Sequence, residues 1–311
     1  MTIQYNLESF AGKPVQDYSP DVGLTDPTGT AYALRLDFDS VEAGGKMPEL
    51  IEQLLGDARV AELQALVIGF WHYEMDVDSS EIVEALASAR DRMPGLRALF
   101  LGDITGEEQE ISWIAQSDVS PLLLAFPELE VLRVRGSSGL DIGAIRHAKL
   151  REFAFETGGL PASVMAHAAT ADCPELRHLE LWLGSDEYGY NGSLDLLAPL
   201  LAGDHFPKLT YLGLKNSQEQ DEIARLVAAS PLLERLTVLD LGMGTLTDRG
   251  AEALLAAPAL GNLECLDIRF HYVSPEMVGK LEAVVAKVLA GEAEEPDEDD
   301  DETHYFIAVS E

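Results

Sequence analysis

The sequence is poor in cysteine and in positive charge, and it has no long apolar run. Only two of its 311 residues are cysteines, Cys173 and Cys265. Neither has a neighbour at zinc or redox spacing, and no structural disulfide between them is expected. No stretch of about 20 apolar residues exists, which excludes a membrane-spanning helix. The opening Met1-Thr2-Ile3-Gln4-Tyr5-Asn6 has no basic region leading into an apolar run. A secretory signal is therefore not expected, and a cytoplasmic location is.

Lys and Arg total 21 against 55 Asp and Glu, a net charge of −34. The segment 292–302 carries nine acids and no base, yet without it −25 remains. The body itself is acidic. Such a surface repels phosphate backbones and anionic lipid, so nucleic acid and membranes are poor partners, and a basic protein or a cation is favoured. The plainer alternative is the solubility of a long exposed molecule. Catalytic motifs are missing as well. The seven histidines are scattered, with no His-x-x-x-His pair and no Gly-x-Ser-x-Gly elbow. Gly136-Ser-Ser-Gly139 lacks the lysine of a phosphate loop and reads as a turn. Neither a cofactor nor an enzymatic activity is expected.

What is present is a repeat. Pro94-x-Leu96-xx-Leu99-x-Leu101 returns as Pro127-x-Leu129-xx-Leu132-x-Val134, as Pro174-x-Leu176-xx-Leu179-x-Leu181 and as Pro207-x-Leu209-xx-Leu212-x-Leu214. The same spacing without proline starts at Leu63, Leu150, Leu236 and Leu263, and a degenerate first copy reads Ala31-xx-Leu34-x-Leu36. The alternation within each core is that of a half-buried strand. Helical periodicity follows, as in Ile82, Leu86 and Ala89, or Ile223, Leu226 and Val227. Ser217-x-x-Gln220 is a capping box, and Ser274-Pro275 puts proline at a first helical position. Proline before each strand stops the helix and returns the chain to the next strand. Strand, crossover helix and parallel strand, repeated, make a right-handed βα array.

These residues resemble the leucine-rich-repeat family, in its ribonuclease-inhibitor-like class. The clearest copy runs from Leu236-Thr-Val-Leu239-Asp-Leu241 through Leu246-Thr247-Asp248 to Leu254, and the resemblance covers about residues 31–290. The opening Phe10-Ala-Gly-Lys-Pro-Val15 is similar to a bacterial cytosolic branch. The implied fold is an α/β solenoid, a horseshoe with a parallel concave β-sheet and outer helices. The family's Asn ladder is missing: Trp71, Ile104, Ser137, Gly158, Gly184, Ser217, Gly244 and His271 stand in its place. We divide the chain into an N-terminal cap (1–30), about nine repeats (31–290), an acidic flexible loop (291–303) and a C-terminal capping strand (304–311). That strand is expected to pair in parallel beside the Leu263 copy.

In such a fold the residues between the leucines line the open face. The first three repeats place small and apolar residues there. Later repeats place Arg133, Arg135, Glu156, His178, Glu180, Trp182, Tyr211, Lys215, Asp240, Asp267 and Arg269, the mixed charge and aromatics of an interface. The bland reading is that each strand needs something soluble on that face. A second concentration follows the strands. Tyr73, Tyr188 and Tyr190 are expected to be exposed there, and Trp71 and Phe270 to tuck under the turns. Asp240 and Asp267, on neighbouring strands, could share a proton or a cation, with a salt bridge to Arg269 as the plainer outcome. The expected function is a non-catalytic protein–protein interaction scaffold. The alternative is an inhibitor or immunity-like protein that blocks a basic enzyme. A third reading gives Asp240 and Asp267 a hydrolytic or cation-dependent role.

Overall fold

In a computed structural model, which describes residues 3–74, 76–299 and 302–310, the repeats become one parallel sheet. Its strands are β1 (Ser9–Phe10), β2 (Lys13–Asp17), β3 (Ala31–Leu34), β4 (Ala65–Gly69), β5 (Ala98–Asp103), β6 (Val131–Arg135), β7 (Glu152–Glu156), β8 (His178–Gly184), β9 (Tyr211–Ser217), β10 (Val238–Asp240), β11 (Cys265–Asp267) and β12 (Val288–Leu289). They lie side by side in chain order. All pairs are parallel except β1 with β2. Equivalent leucines align: Leu66, Leu99, Leu132, Phe153, Leu179, Leu212, Leu239 and Leu266 form one row. All are fully buried, packed against helices such as Met47–Leu55, Ser80–Ser88, Gln220–Ala228 and Asp248–Leu255.

The first copy sits two residues from the expected register. Tyr32, not Leu34, pairs with Leu66, and Leu34 pairs with Ile68. The tyrosine fits the leucine slot because its hydroxyl accepts a hydrogen bond from Asp26 N at 2.9 Å and lies 3.1 Å from Thr25 Oγ1. At the helix starts, Ser274 Oγ accepts from Met277 N and Thr247 Oγ1 from Arg249 N, each satisfying an orphan amide. Side chains outside the ladder position tie the turns instead of Asn. Gln116 Nε2 donates to Arg135 O, Thr157 Oγ1 to Trp182 O and Gln220 Nε2 to Leu214 O, each at 2.7 Å.

The two ends depart from expectation. The N-terminal segment does more than cover the first strand. β2 extends the sheet beside β3, and the chain before it crosses the open face. Phe10, with Leu7 and Val15 beside it, joins Ala31, Ala33, Ala65, Val67, Ala98 and Phe100 in a second apolar cluster. That explains the apolar open face of the first repeats: it is covered. At the other end, the neighbour of β11 is β12, not the 305–309 segment. The last helix stops at Glu282, so Val288 and Leu289 reach the sheet edge first by the shorter connection. The acidic segment, expected as a loop, contains a two-stranded ribbon of β13 (Asp297–Asp299) and β14 (Glu302–His304). Residues 305–310 then run along the edge where the strands end.

Candidate functional site: the open face and its edge

Register builds the site. Arg133, Ala154, Glu180, Gly213, Asp240 and Asp267 form one row across β6–β11. Small residues at Ala154 and Gly213 leave room for their neighbours to lean inward. Arg133 lies beside Ala154 and forks to Glu152 and Glu156, both at 2.9 Å. Arg135 reaches the other oxygen of Glu156 at 2.7 Å and approaches Asp103 at 3.7 Å. Both guanidinium groups sit over Phe100, at 5.9 and 5.1 Å.

Gly213 is the floor of a second cluster. A Cβ there would lie 3.0 Å from Glu180 Cγ and 3.3 Å from Tyr211 Cε1. Glu180 and Asp240 stand on either side of it. Tyr211 and Lys215, from the same strand as Gly213, bridge them. The tyrosine hydroxyl is 3.3 Å from Glu180 and 2.9 Å from Asp240, and Lys215 Nζ is 3.5 and 2.9 Å from the same carboxylates. Trp182 Nε1 donates to Glu180 at 2.6 Å, and Lys215 Nζ lies 5.3 Å from the indole centre. His178 stacks on Tyr211 at 3.7 Å and reaches Glu180 at 3.3 Å. Asp267 is held by Arg269 Nε at 3.0 Å.

The electrostatics follow from burial and neighbours. For Glu180, burial pushes the carboxyl pKa up, but Lys215, the His178 hydrogen bond, Arg133 and Trp182 together pull it well below the ordinary range. Asp240 is moved upward, first by burial and then by Asp267 and Glu180, against Lys215. Burial, then Glu180 and Asp240, raise the Tyr211 hydroxyl. Lys215 stays a cation: burial opposes its charge, and Glu180 and Asp240 more than restore it.

Arg135, Glu156, Glu180, Trp182, Asp240 and Asp267 are buried, and Arg133, His178, Tyr211 and Lys215 half-buried, while Arg269 is exposed. The structure thus brings the expected open-face residues together, and they satisfy one another. Asp240 and Asp267 are neighbours in register, yet each has its own cation. Among the described residues no group of three or more His, Cys, Asp or Glu is placed to hold a metal ion. The Cys173 thiol is pushed up to about 11 by burial, which makes it a poor nucleophile.

On the edge, Trp71 is buried and its indole donates to Val77 O at 3.2 Å. Phe270 is half-buried, as expected. Tyr73 is 41% exposed. Tyr188 and Tyr190 are half-buried; Tyr190 packs against the core, and burial pushes its hydroxyl up to about 12. Two rings escaped the sequence reading because they lie outside the repeat pattern: Phe38, 45% exposed, and Trp113, 53% exposed. Phe38 stacks on Tyr73 at 6.1 Å. Gln109 Nε2 ties the Tyr73 and Trp113 carbonyls, at 3.5 and 3.1 Å. Beside them a groove of about 460 Å³ opens between Gly44–Pro48 and Trp71–Ile82.

No protein-family model and no curated protein sequence matches the chain. Among solved structures, a Bacteroides fragilis protein determined as a Northeast Structural Genomics Consortium target is 32% identical, with a TM-score of 0.78 over 89% of this chain and 76% of that one. An internalin from Listeria monocytogenes is 13% identical, with a TM-score of 0.43 over 88% of this chain and 70% of that one.

Proposed function

The chain belongs to the same family as that Bacteroides fragilis protein, and from this premise we propose that it is a cytoplasmic, non-catalytic scaffold that binds another protein. In this reading it is a leucine-rich-repeat horseshoe of the ribonuclease-inhibitor-like class. The partner docks across the open face from Arg133 to Arg269 and on the aromatic edge. One observation carries the reading. Phe38, Tyr73 and Trp113 stand solvent-exposed on one edge, whereas the open-face charges have partners of their own. Exposed aromatics on loops held by a rigid sheet are the material of binding hot spots. Asp39 and Glu42 follow Phe38 in the chain and Glu74, Asp76 and Glu81 follow Tyr73; all five carboxylates are exposed, and among the described residues none forms an ion pair. A partner that presents Lys or Arg beside an apolar anchor complements that surface.

The test is site-specific photo-crosslinking in cells of the source organism. A photoreactive residue replaces Tyr73, Lys215 or, on the outer helix, Glu84. The same adduct from positions 73 and 215, absent from 84, supports the reading. Adducts from position 84 alone overturn it. The net charge of −34 supports a second reading, an inhibitor steered electrostatically onto a basic enzyme. Association that slows steeply between low and high salt favours it; a salt-independent rate rejects it.

A further inference from the structure

We infer that the edge formed by the turns after β7–β11 is a binding groove for an extended apolar peptide, filled here by the chain's own residues 306–310 and open to a competing segment of another protein. Most of these turns lie away from Phe38 and Tyr73, although the contact at Ser112 borders Trp113, and the inference does not depend on the scaffold reading. The groove reads the backbone of its occupant. The Tyr272 hydroxyl is 3.0 Å from both the amide nitrogen and the carbonyl oxygen of Phe306. Met243 O accepts from Ala308 N at 2.8 Å. The Asn216 amide clamps Val309 from both sides, with Oδ1 accepting from its N–H at 3.0 Å and Nδ2 donating to its carbonyl. Ser112 Oγ donates to Ser310 O.

None of these hydrogen bonds involves a side chain of the occupant. Its side chains are read by burial: Ile307, Ala308 and Val309 are buried, while Tyr305 and Phe306 are exposed. Backbone bonds for affinity and pockets for particular side chains are how peptide grooves work. The groove is also shaped in advance. Asn216, Met243 and Phe270 hold the left-handed conformation, at φ 53°, 68° and 61°, at one equivalent place in three successive turns. Such strain in non-glycine residues concentrates at ligand clamps. Gly158 leaves the passage open, since a Cβ there would lie 2.4 Å from Ser310 O and 2.1 Å from Ser112 Oγ.

The tether suits an exchangeable occupant. Between Leu289 and Phe306 the chain carries nine acids in residues 292–302 and few apolar residues, and it touches the body through Glu294 N, which donates to His271 O at 2.7 Å, and through the Tyr305 ring against Tyr272. A linker of this kind holds its end at an effective concentration of the order of millimolar. A rival must exceed that by affinity or by attachment elsewhere on the molecule. Its chemistry is set by the present occupant: an extended segment with aliphatic residues two apart, as in Ile307-x-Val309, and a small residue between them.

The probe is a fluorescein-labelled peptide of residues 305–311, Tyr-Phe-Ile-Ala-Val-Ser-Glu. The receptor is the full chain carrying Ile307→Asp and Val309→Asp, which empties the groove. We expect this variant to bind the peptide about a hundredfold or more tighter than the wild type, whose own end competes. Adding Asn216→Ala should weaken that binding about tenfold or more, and a peptide with Asp in both apolar places should not bind. A variant that keeps its circular dichroism but takes up no peptide overturns the inference and leaves 306–310 as a structural seal. Should the double Asp variant fail to fold, a second arm decides. The wild-type chain with a protease site inserted after Ala293 is folded and then cut. Exchange of its released end for excess labelled peptide supports the groove; no exchange, or collapse of the fold on cutting, overturns it.

Discussion

Asp103→Ala tests how the N-terminal segment is fastened. Asp103 ends β5, is fully buried and gathers three groups that the sequence keeps far apart. Its carboxylate takes Arg35 Nη2, approaches Arg135 Nη1 at 3.7 Å and accepts from Leu7 N, 3.3 Å from each oxygen. Its carbonyl accepts from Asn6 Nδ2 at 2.9 Å. A charge pair at 3.7 Å is attractive by about 4–5 kcal/mol at an effective dielectric of about 20. Burying both ions offsets much of that. Removing one partner is costlier than the pair's net worth, about 3–5 kcal/mol, because the other charge stays buried. Here Arg135 keeps Glu156 and Arg35 keeps Asp17, so the lower end, about 3 kcal/mol, is expected. Urea unfolding measures the total, and hydrogen exchange at Leu7 localises it. The wild-type Leu7 amide should be protected and the variant's should exchange as fast as an open segment. A loss below about 1 kcal/mol, the level of an exposed pair, together with unchanged Leu7 protection would show that Asp103 does not fasten the N-terminal segment.

Leu239→Ala should cost about 2–5 kcal/mol in urea unfolding, since it empties a fully buried position in the leucine row; a neutral result would mean that the row does not form the core. Glu180→Gln should show its effect in a pH series. The native Glu180 carboxyl titrates below its ordinary value of 4.5, so its stabilisation is complete above that value and fades as pH falls toward the lowered native one. The gap in melting temperature between wild type and variant should therefore be widest near neutrality and close in acid. A gap that widens in acid would contradict the assignment. Met243→Gly should be neutral or stabilising by up to about 1 kcal/mol, because the left-handed backbone costs a residue with a Cβ about 1–2 kcal/mol and glycine returns part of that as chain entropy; φ there is 68° and the side chain is half-buried. A clear loss of thermal stability would show that its side-chain packing outweighs the backbone strain.

The leucine spacing made the sheet readable because an inward residue recurs wherever a strand forms, whatever lies around it. The slip at the first copy shows the limit of that signal. Tyr32 fills a leucine slot only because Asp26 and Thr25 receive its hydroxyl, and a pattern of apolar letters does not carry that. The open-face residues were found for the same reason as the leucines: aligned strands line up their alternate positions. Their mutual satisfaction was not legible, since it depends on Ala154 and Gly213 giving Arg133, Glu180 and Tyr211 room to lean across. Phe38 opens a short helix, Phe38–Glu42, and Trp113 ends the 3-10 helix Ile111–Trp113, in connections of unequal length where no repeat phase applies. The seating of residues 306–310 rests on pairs such as Ser112 with Ser310, 198 residues apart, and on left-handed turns that no local motif announces.

Those long-range ties change how the array should come apart. A plain repeat array is held by nearest neighbours and frays from its ends. Here the N-terminal segment bonds to the turn after β5 through Leu7, Asn6 and the Ile3 carbonyl, which accepts from Gly106 N. The C-terminal segment runs from the β11 turn at Tyr272 to Ser112, which precedes β6. Ile3 and Val309 meet at one small gap beside Ile104 and Ile111. Opening the last repeat therefore requires breaking contacts in the third, and the two ends of the array act through the same few residues in its first half. An occupant that displaced residues 306–310 would remove half of that coupling. The late turns, with Asn216 and Met243 already strained, would then be the first to open, so that occupancy of the edge groove sets the stability of the sheet that carries Lys215, Asp240 and Asp267.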